Sequence, residues 1–304
     1  MWLFMMVWMG SLDQAKTLLD SGKPAEAVAM LTDLADSEPN ALRLLITASD
    51  RCGDFETGLA KSDQALEAFP EDSFLHVEVA SLYRAKFTEN PMGWMTGRSR
   101  YIDLLTRAIE LDADNQAAYL GLIGFYANAP SMVGGSVEEA LKWCDALEHV
   151  DITAGMLQRA NVYVGQKDEK KWREILAPMM ESSNDPRVGF TYGMALQSVD
   201  DYHGAAKAFD KGAQAGHAPS IYQAGRSRVL GEFEVEKAVA WFDAYLKLEQ
   251  TQTEYTIGAY KRLGQAYEML DQKALAREAY QSALKLDPED KEAKSSLKKL
   301  GVSQ

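Results

Sequence analysis

Four histidines, two cysteines and a Gly-Gly-Ser turn are the residues of this chain whose types invite chemistry. His76, His149, His203 and His217 lack the paired spacing of a zinc site, so the pattern predicts no metal centre. Cys52 and Cys144 fit neither a disulfide framework nor a paired ligand set. Both are expected to be buried, small apolar residues. The Ser-x-x-Lys in Ser295-Ser296-Leu297-Lys298 has none of the companion motifs of serine acyl enzymes. No phosphate-binding Gly-x-x-x-x-Gly-Lys-Ser/Thr, His-Glu-x-x-His or Gly-x-Ser-x-Gly occurs, so no cofactor is expected. Gly134-Gly135 offers backbone amides to an anion at the start of a helix. The competing expectation is a tight turn with Ser136 as N-cap and Glu139 three residues on, a capping box. Glu138-Glu139 and Glu289-Asp290 belong to helical first turns, where the macrodipole favours negative charge without catalysis.

The elements that must carry these residues are helices. Prolines punctuate the segments, as at Glu38-Pro39, Phe69-Pro70, Asp185-Pro186 and Asp287-Pro288, and the stretches between lack β-branched runs. With 304 residues, 46% of them hydrophobic, the chain is long enough to bury a substantial core. A formal net charge of −13 repels phosphate backbones and anionic lipid, which argues against nucleic acid as a partner. Trp2-Leu3-Phe4-Met5-Met6-Val7-Trp8-Met9 is an apolar run too short to span a bilayer, so no integral membrane span is expected. Its length fits an export signal, although the positive flank and small-residue cleavage site of such signals are missing. The alternative is a hydrophobic first helix packed under its neighbours, in a cytoplasmic chain.

A repeat is legible near the C-terminus. Ala259-Tyr260-Lys261-Arg262-Leu263-Gly264-Gln265-Ala266-Tyr267 is followed by Ala276, Tyr280, Ala283 and Pro288. Leu263 and Tyr267 point into a helical hairpin, Gly264 lets the second helix approach, and Tyr280 fills the gap between Ala276 and Ala283. Asp287 is the expected N-cap of the next helix. The unit resembles the tetratricopeptide repeat (TPR), a helix-turn-helix of about 34 residues. The same pattern recurs at Ala15, Gly22, Ala27, Leu31 and Pro39; at Leu45, Gly53, Gly58, Ala65 and Pro70; at Gly193, Ala205 and Phe209; and at Gly225, Ala238 and Phe242. Trp172 stands where the pattern has Ala, so the packing at 153–186 must be wider.

The resemblance implies an all-α fold: a right-handed superhelical solenoid of seven to eight TPR-like hairpins over residues 11–290. An apolar leader at 1–10 precedes it, and a polar C-terminal capping helix and tail at 291–304 complete the chain. The hairpins fall near 11–39, 40–71, 73–114, 115–151, 153–186, 187–219, 220–251 and 257–290. Two are longer than the template, by about nine residues near 86–99 and about five near 129–135. Both excesses are expected to be enlarged loops lying side by side. The phrase from Phe125 to Ser136, with Ala129-Pro130 before Gly134-Gly135, is similar to a motif of a bacterial, often exported branch of the family. That likeness implies a periplasmic or exported location.

Arrays of this kind line a concave face with the first helix of each hairpin, and partner peptides lie along it. On that basis the partner-binding residues are Arg187, Phe190, Met194, Tyr222, Arg226, Lys261, Arg262 and Gln265, a basic and aromatic stripe suited to a protein or peptide with an acidic segment. The family's carboxylate clamp is not matched, because Arg226 and Gln265 stand where it uses asparagines. Met92, Trp94, Met95 and Met132 are the expected loop contacts; for Trp94 the competing expectation is that it folds back onto Tyr101. The function expected is a non-catalytic interaction scaffold. The alternatives are a small-ligand protein or enzyme with a pocket between the long loops and the groove, and a self-associating homo-oligomer whose exposed solenoid ends pair.

Overall fold

The computed structural model describes residues 2–89, 92–248 and 253–301, with side chains omitted at 2–9 and 253–254. Among these the chain is all-α. Hairpins pair α1 (Trp2–Asp20) with α2 (Pro24–Leu31), α3 (Pro39–Cys52) with α4 (Phe55–Ala68), α5 (Ser73–Glu89) with α6 (Gly93–Leu111), and α7 (Gln116–Asn128) with α8 (Val137–Glu148). Then come α9 (Ile152–Gly165) and α10 (Glu169–Ser182), α11 (Pro186–Gln197) and α12 (Tyr202–Gln214), α13 (Ala218–Leu230) and α14 (Val235–Leu246), α15 (Thr253–Met269) and α16 (Lys273–Leu286), and a last helix, α17 (Lys291–Lys299). The chain divides into two compact units, Met1–Val162 and Tyr163–Gln304.

The starts of the helices are set by local chemistry. Pro24, Pro39 and Pro186 occupy first-turn positions where a missing N–H costs nothing. Side chains of Asp54, Asn115, Ser136, Asp168 and Asp201 accept bonds from first-turn amides. Before α17 the N-cap is Asp290, whose carboxylate accepts from the Ala293 amide at 2.8 Å. Asp287 instead closes α16 as its C-cap, a correction of three residues to the expected start.

Within each unit the repeat pattern becomes packing. In unit 2 a glycine on the first helix lies under an aromatic ring of the second in three successive hairpins. A Cβ at Gly193 would fall 2.5 Å from the Phe209 ring, at Gly225 2.9 Å from Phe242, and at Gly264 2.6 Å from Tyr280. The rings are buried, so glycine there sets the spacing between the two helices. Trp172 is also buried and meets Tyr192 edge-on at 6.2 Å. α17 closes the unit by placing Ala293 and Leu297 against Tyr280.

One expectation about the lengthened hairpins changes. The excess near 86–99 is not an enlarged loop among the described residues: it lengthens α5 to 17 residues and α6 to 19. Gly93 and Gly97, which look like loop signals, are one turn apart on α6 and lie flat against the Phe87 ring, where a Cβ would come within 2.4 and 2.0 Å. Asn90 and Pro91 lie outside the described residues. The expected leader at 1–10 has a backbone continuous with α1 from Trp2 onward; Met1 and the side chains of residues 2–9 lie outside the described residues. No helix among those described is long and apolar enough to cross a membrane.

Candidate binding surfaces

The first helices of the hairpins pack on one another within each unit: α1 on α3, α3 on α5, α5 on α7, and in unit 2 α11 on α13 and α13 on α15. They therefore form one continuous face per unit. In unit 2 the expected stripe is distributed unevenly over it. Phe190 is half-buried between Phe209 and His217. Tyr222 packs among Phe242, Tyr245 and Tyr255, and Met194 is exposed.

The four cations of the stripe fall into two kinds. Arg187 is paired with Asp185 at 2.7 Å, and Lys261 with both Asp290 and Glu292 at 2.9 Å. Those two are held by the protein's own acids. Burial pushes the Lys261 ammonium down, but bonds to Asp290 and Glu292 outweigh it and leave it above its ordinary range. Arg226 and Arg262 differ. Arg226 donates to the amide oxygens of Gln197 at 2.9 Å and Gln223 at 3.3 Å, and Arg262 to that of Gln265 at 2.6 Å. Glutamine is neutral, so each guanidinium is oriented by an uncharged partner, and neither makes an ion pair among the described residues. Gln265 in turn donates to Glu292.

In unit 1 the same face carries a network that no sequence motif announces. Arg43 on α3 is paired with Asp72 and with Glu78 on α5, each at 2.6 Å, and Thr47 bonds Glu78 at 3.0 Å. Arg43 and Glu78 are 35 residues apart, about one repeat period, so aligned positions on successive first helices could have revealed the pair. Burial pushes the Glu78 carboxyl up, and Arg43 and Thr47 only partly oppose it.

Beyond this network α5 and α7 line an open cavity of about 670 Å³. Its floor is an aromatic cluster. Trp94 lies 4.8 Å from Phe87, 5.2 Å from Tyr101 and 5.2 Å from Phe125 between ring centroids. Trp94 is thus no projecting tip: it packs inward onto Tyr101 and lines the cavity. Met92, Met95 and Met132 are exposed at 69%, 49% and 73%, so the loop contacts separate into one half-buried residue and three exposed ones. Arg84, Leu120, Gly121 and Gly124, which belong to no motif in the sequence, form the cavity's walls with Val77 and Ser81.

The Gly-Gly-Ser turn follows Val133, which lines the cavity. The Gly134 amide donates to Ser131 O and that of Gly135 to Pro130 O, so both are spent inside the turn. Ser136 accepts from the Glu139 amide at 3.2 Å, the capping geometry rather than an anion nest. Gly135 is required sterically, since a Cβ would lie 1.7 Å from Ala129 O. The 3-10 turn Ser131–Val133 packs on α6, which brings the two lengthened hairpins together.

Among the described residues no group of three or more His, Cys, Asp or Glu is arranged to hold a metal ion. His76 is buried with Nδ1 2.9 Å from Asp72 O, and His203 stacks on Phe233. Cys144 is buried, but Cys52 is exposed. Cys52 ends α3 beside Gly53, at the hairpin's outer turn, which corrects the expectation for that thiol.

Helical hairpins in register, glycine under aromatic, define a repeat scaffold, and sequence comparison agrees. Profiles described as tetratricopeptide repeat match residues 12–73 and 257–290 and support that family for the chain. No curated protein matches it in sequence. Solved structures share the all-α superhelical repeat fold. Yeast Tom70 aligns at TM-score 0.63 and 13% identity over 92% of this chain and 58% of its own. A tetratricopeptide repeat protein from Parabacteroides merdae aligns at 0.52 and 13% over 97% and 99%. The Cut9-Hcn1 hetero-tetramer of the APC/C gives 0.50 and 14% over 95% and 55%. The chain thus spans little more than half of the first and last of these. At such identities the likeness is one of fold.

Proposed function

We propose that this chain is a non-catalytic scaffold that holds a partner polypeptide on the first-helix face of unit 2, with an acidic segment of the partner against Arg226 and Arg262. The observation that carries this is the Arg226 guanidinium, oriented by the neutral amides of Gln197 and Gln223 and without an ion-pair partner among the described residues. A fixed guanidinium is a ready fork for a carboxylate. Lys261 is reassigned from partner binding to holding Asp290 and Glu292 at the start of α17.

Selection from a display library of random linear peptides tests it. Enriched peptides are expected to be acidic, to bind more weakly as salt rises, and to lose binding to Arg226→Glu/Arg262→Glu while still binding Lys261→Gln. Enrichment without acidic residues, or unchanged binding to the double variant, overturns the assignment. For location we propose export, on the apolar run at residues 2–9 together with the likeness of the 125–136 segment; N-terminal sequencing of the protein from fractionated cells decides between a cleaved leader and a retained first helix.

A further inference from the structure

We propose that the cavity between α5 and α7 is a binding site for a small amphipathic carboxylate, with its apolar body on the aromatic floor and its anionic head at Arg84. The inference is independent of the peptide reading, because every residue of the cavity belongs to unit 1.

The volume decides what kind of occupant fits. About 670 Å³ lies within the range of small-molecule sites, roughly 300–1,000 Å³. One anchoring side chain of a docked peptide would leave most of it empty, and unfilled apolar walls forfeit their contacts. Ala129, Pro130 and Val133 also line it, beyond the end of α7.

Its shape derives from two stripes. Val77, Ser81, Arg84 and Thr88 recur at helical spacing along α5, a rise of about 16 Å, and Gly121 and Gly124 face the cavity from α7. A Cβ at Gly124 would meet nothing within 4 Å, so the glycine leaves bare backbone beside open space. Below, Trp94 fills the gap between α5 and α7, and the Tyr101 hydroxyl donates to Gly121 O at 3.2 Å, which satisfies the polar group nearest the floor. What remains is a mostly apolar slot whose polar lining side chains are Ser81, Arg84, Thr88, Tyr101 and Asn128.

The charge is supplied by Arg84. Among the described residues it makes no ion pair; its bond is a long one, 3.4 Å, to Ser81 Oγ. Asp50 feels its field and that of Arg51 without closing a contact to it. An exposed guanidinium at the rim of an apolar slot, in a chain of net charge −13, selects an anion with a hydrophobic tail.

Calorimetric titration of the full chain with dodecanoate below its micelle concentration tests the site, with dodecanol and dodecyltrimethylammonium as charge controls. Dodecanoate is expected to bind one to one. Arg84→Gln is expected to weaken it about tenfold or more, the worth of a hydrogen bond to a charged group, and to leave dodecanol unaffected. Gly124→Leu, which fills the open space, is expected to abolish binding of both, while Arg226→Glu changes neither. Absence of dodecanoate binding to the folded wild type overturns the proposal, as does equal affinity for the trimethylammonium. Binding that survives Gly124→Leu places the ligand elsewhere. A selected peptide that displaces dodecanoate and itself requires Gly124 gives the slot to a polypeptide instead.

Discussion

The Arg228 guanidinium and the Asp210 carboxylate form a two-bond fork, 2.9 Å from Nη1 to Oδ1 and 2.7 Å from Nη2 to Oδ2, that ties α13 to α12. Arg228 is 1% exposed, and it also donates to Glu234 and to Ala224 O. Asp210 accepts in addition from Lys237 and from the Trp241 indole. Such a pair is costly to split, because the partner left behind is buried and charged.

Asp210→Ala is therefore expected to destabilise unit 2 by about 3–5 kcal/mol. The double variant Asp210→Leu/Arg228→Leu is expected to lose less than the two single changes summed. Urea unfolding of Asp210→Leu, Arg228→Leu and the double variant measures this, and strict additivity would mean that the two groups are not coupled.

Acid stability carries the same signature. Burial pushes the Asp210 carboxyl up, but bonds from Arg228 and Lys237 outweigh it and hold it below the ordinary range; Arg43 does the same for Asp72. A carboxyl whose folded pKa is depressed adds stability above its unfolded pKa and loses it as pH falls through the folded one. Stability is thus expected to decline below about pH 4. Glu78, raised by burial, works in the opposite sense. Asp210→Asn is expected to flatten the decline in a circular-dichroism acid titration; an unchanged slope would exclude this pair as its source.

Gly135 and Gly124 stand in opposite surroundings, so the same substitution is expected to act on them with opposite signs. Gly135→Ala drives a Cβ into Ala129 O and is expected to cost about 1–3 kcal/mol, as overpacking does. Gly124→Ala sits in mid-helix beside open space and is expected to stabilise by about 0.5–1 kcal/mol. Thermal melts of the two variants suffice, and a shared sign would contradict the geometry.

Trp94→Ala is expected to destabilise unit 1 by about 3 kcal/mol through loss of the ring cluster. Met92→Ala and Met132→Ala are expected to stay within about 0.5 kcal/mol of wild type. If a methionine change proved as costly as the tryptophan change, those side chains would be packed rather than exposed.

The thiols differ as sharply. Cys52 is exposed, whereas Cys144 is buried and its thiol is pushed up to about 12 by burial. Ellman's reagent is expected to titrate one thiol rapidly in the native protein and the second only on unfolding. Two fast thiols would show that α8 opens readily.

The helices and their pairing were legible in the amino-acid sequence because a hairpin is local: Gly264 beneath Tyr280, or Ser136 ahead of Glu139, is settled by spacing along a single repeat. Hydrophobic spacing and proline punctuation carry that information within some thirty residues. Partnership between repeats is not local. Arg43 with Glu78, Arg226 with Gln197 and Lys261 with Asp290 depend on how one first helix lies on the next, and only tertiary packing decided which cations of the expected stripe are ion-paired among the described residues. Gly93 and Gly97 show the same limit from the other side. Glycine in a sequence signals a turn or a close approach equally well, and the Phe87 ring that resolves the choice belongs to a different helix. The cavity floored by Trp94 exists for that reason: α5 and α6 run on where a loop was expected, and their added turns hold the aromatic rings between α5 and α7.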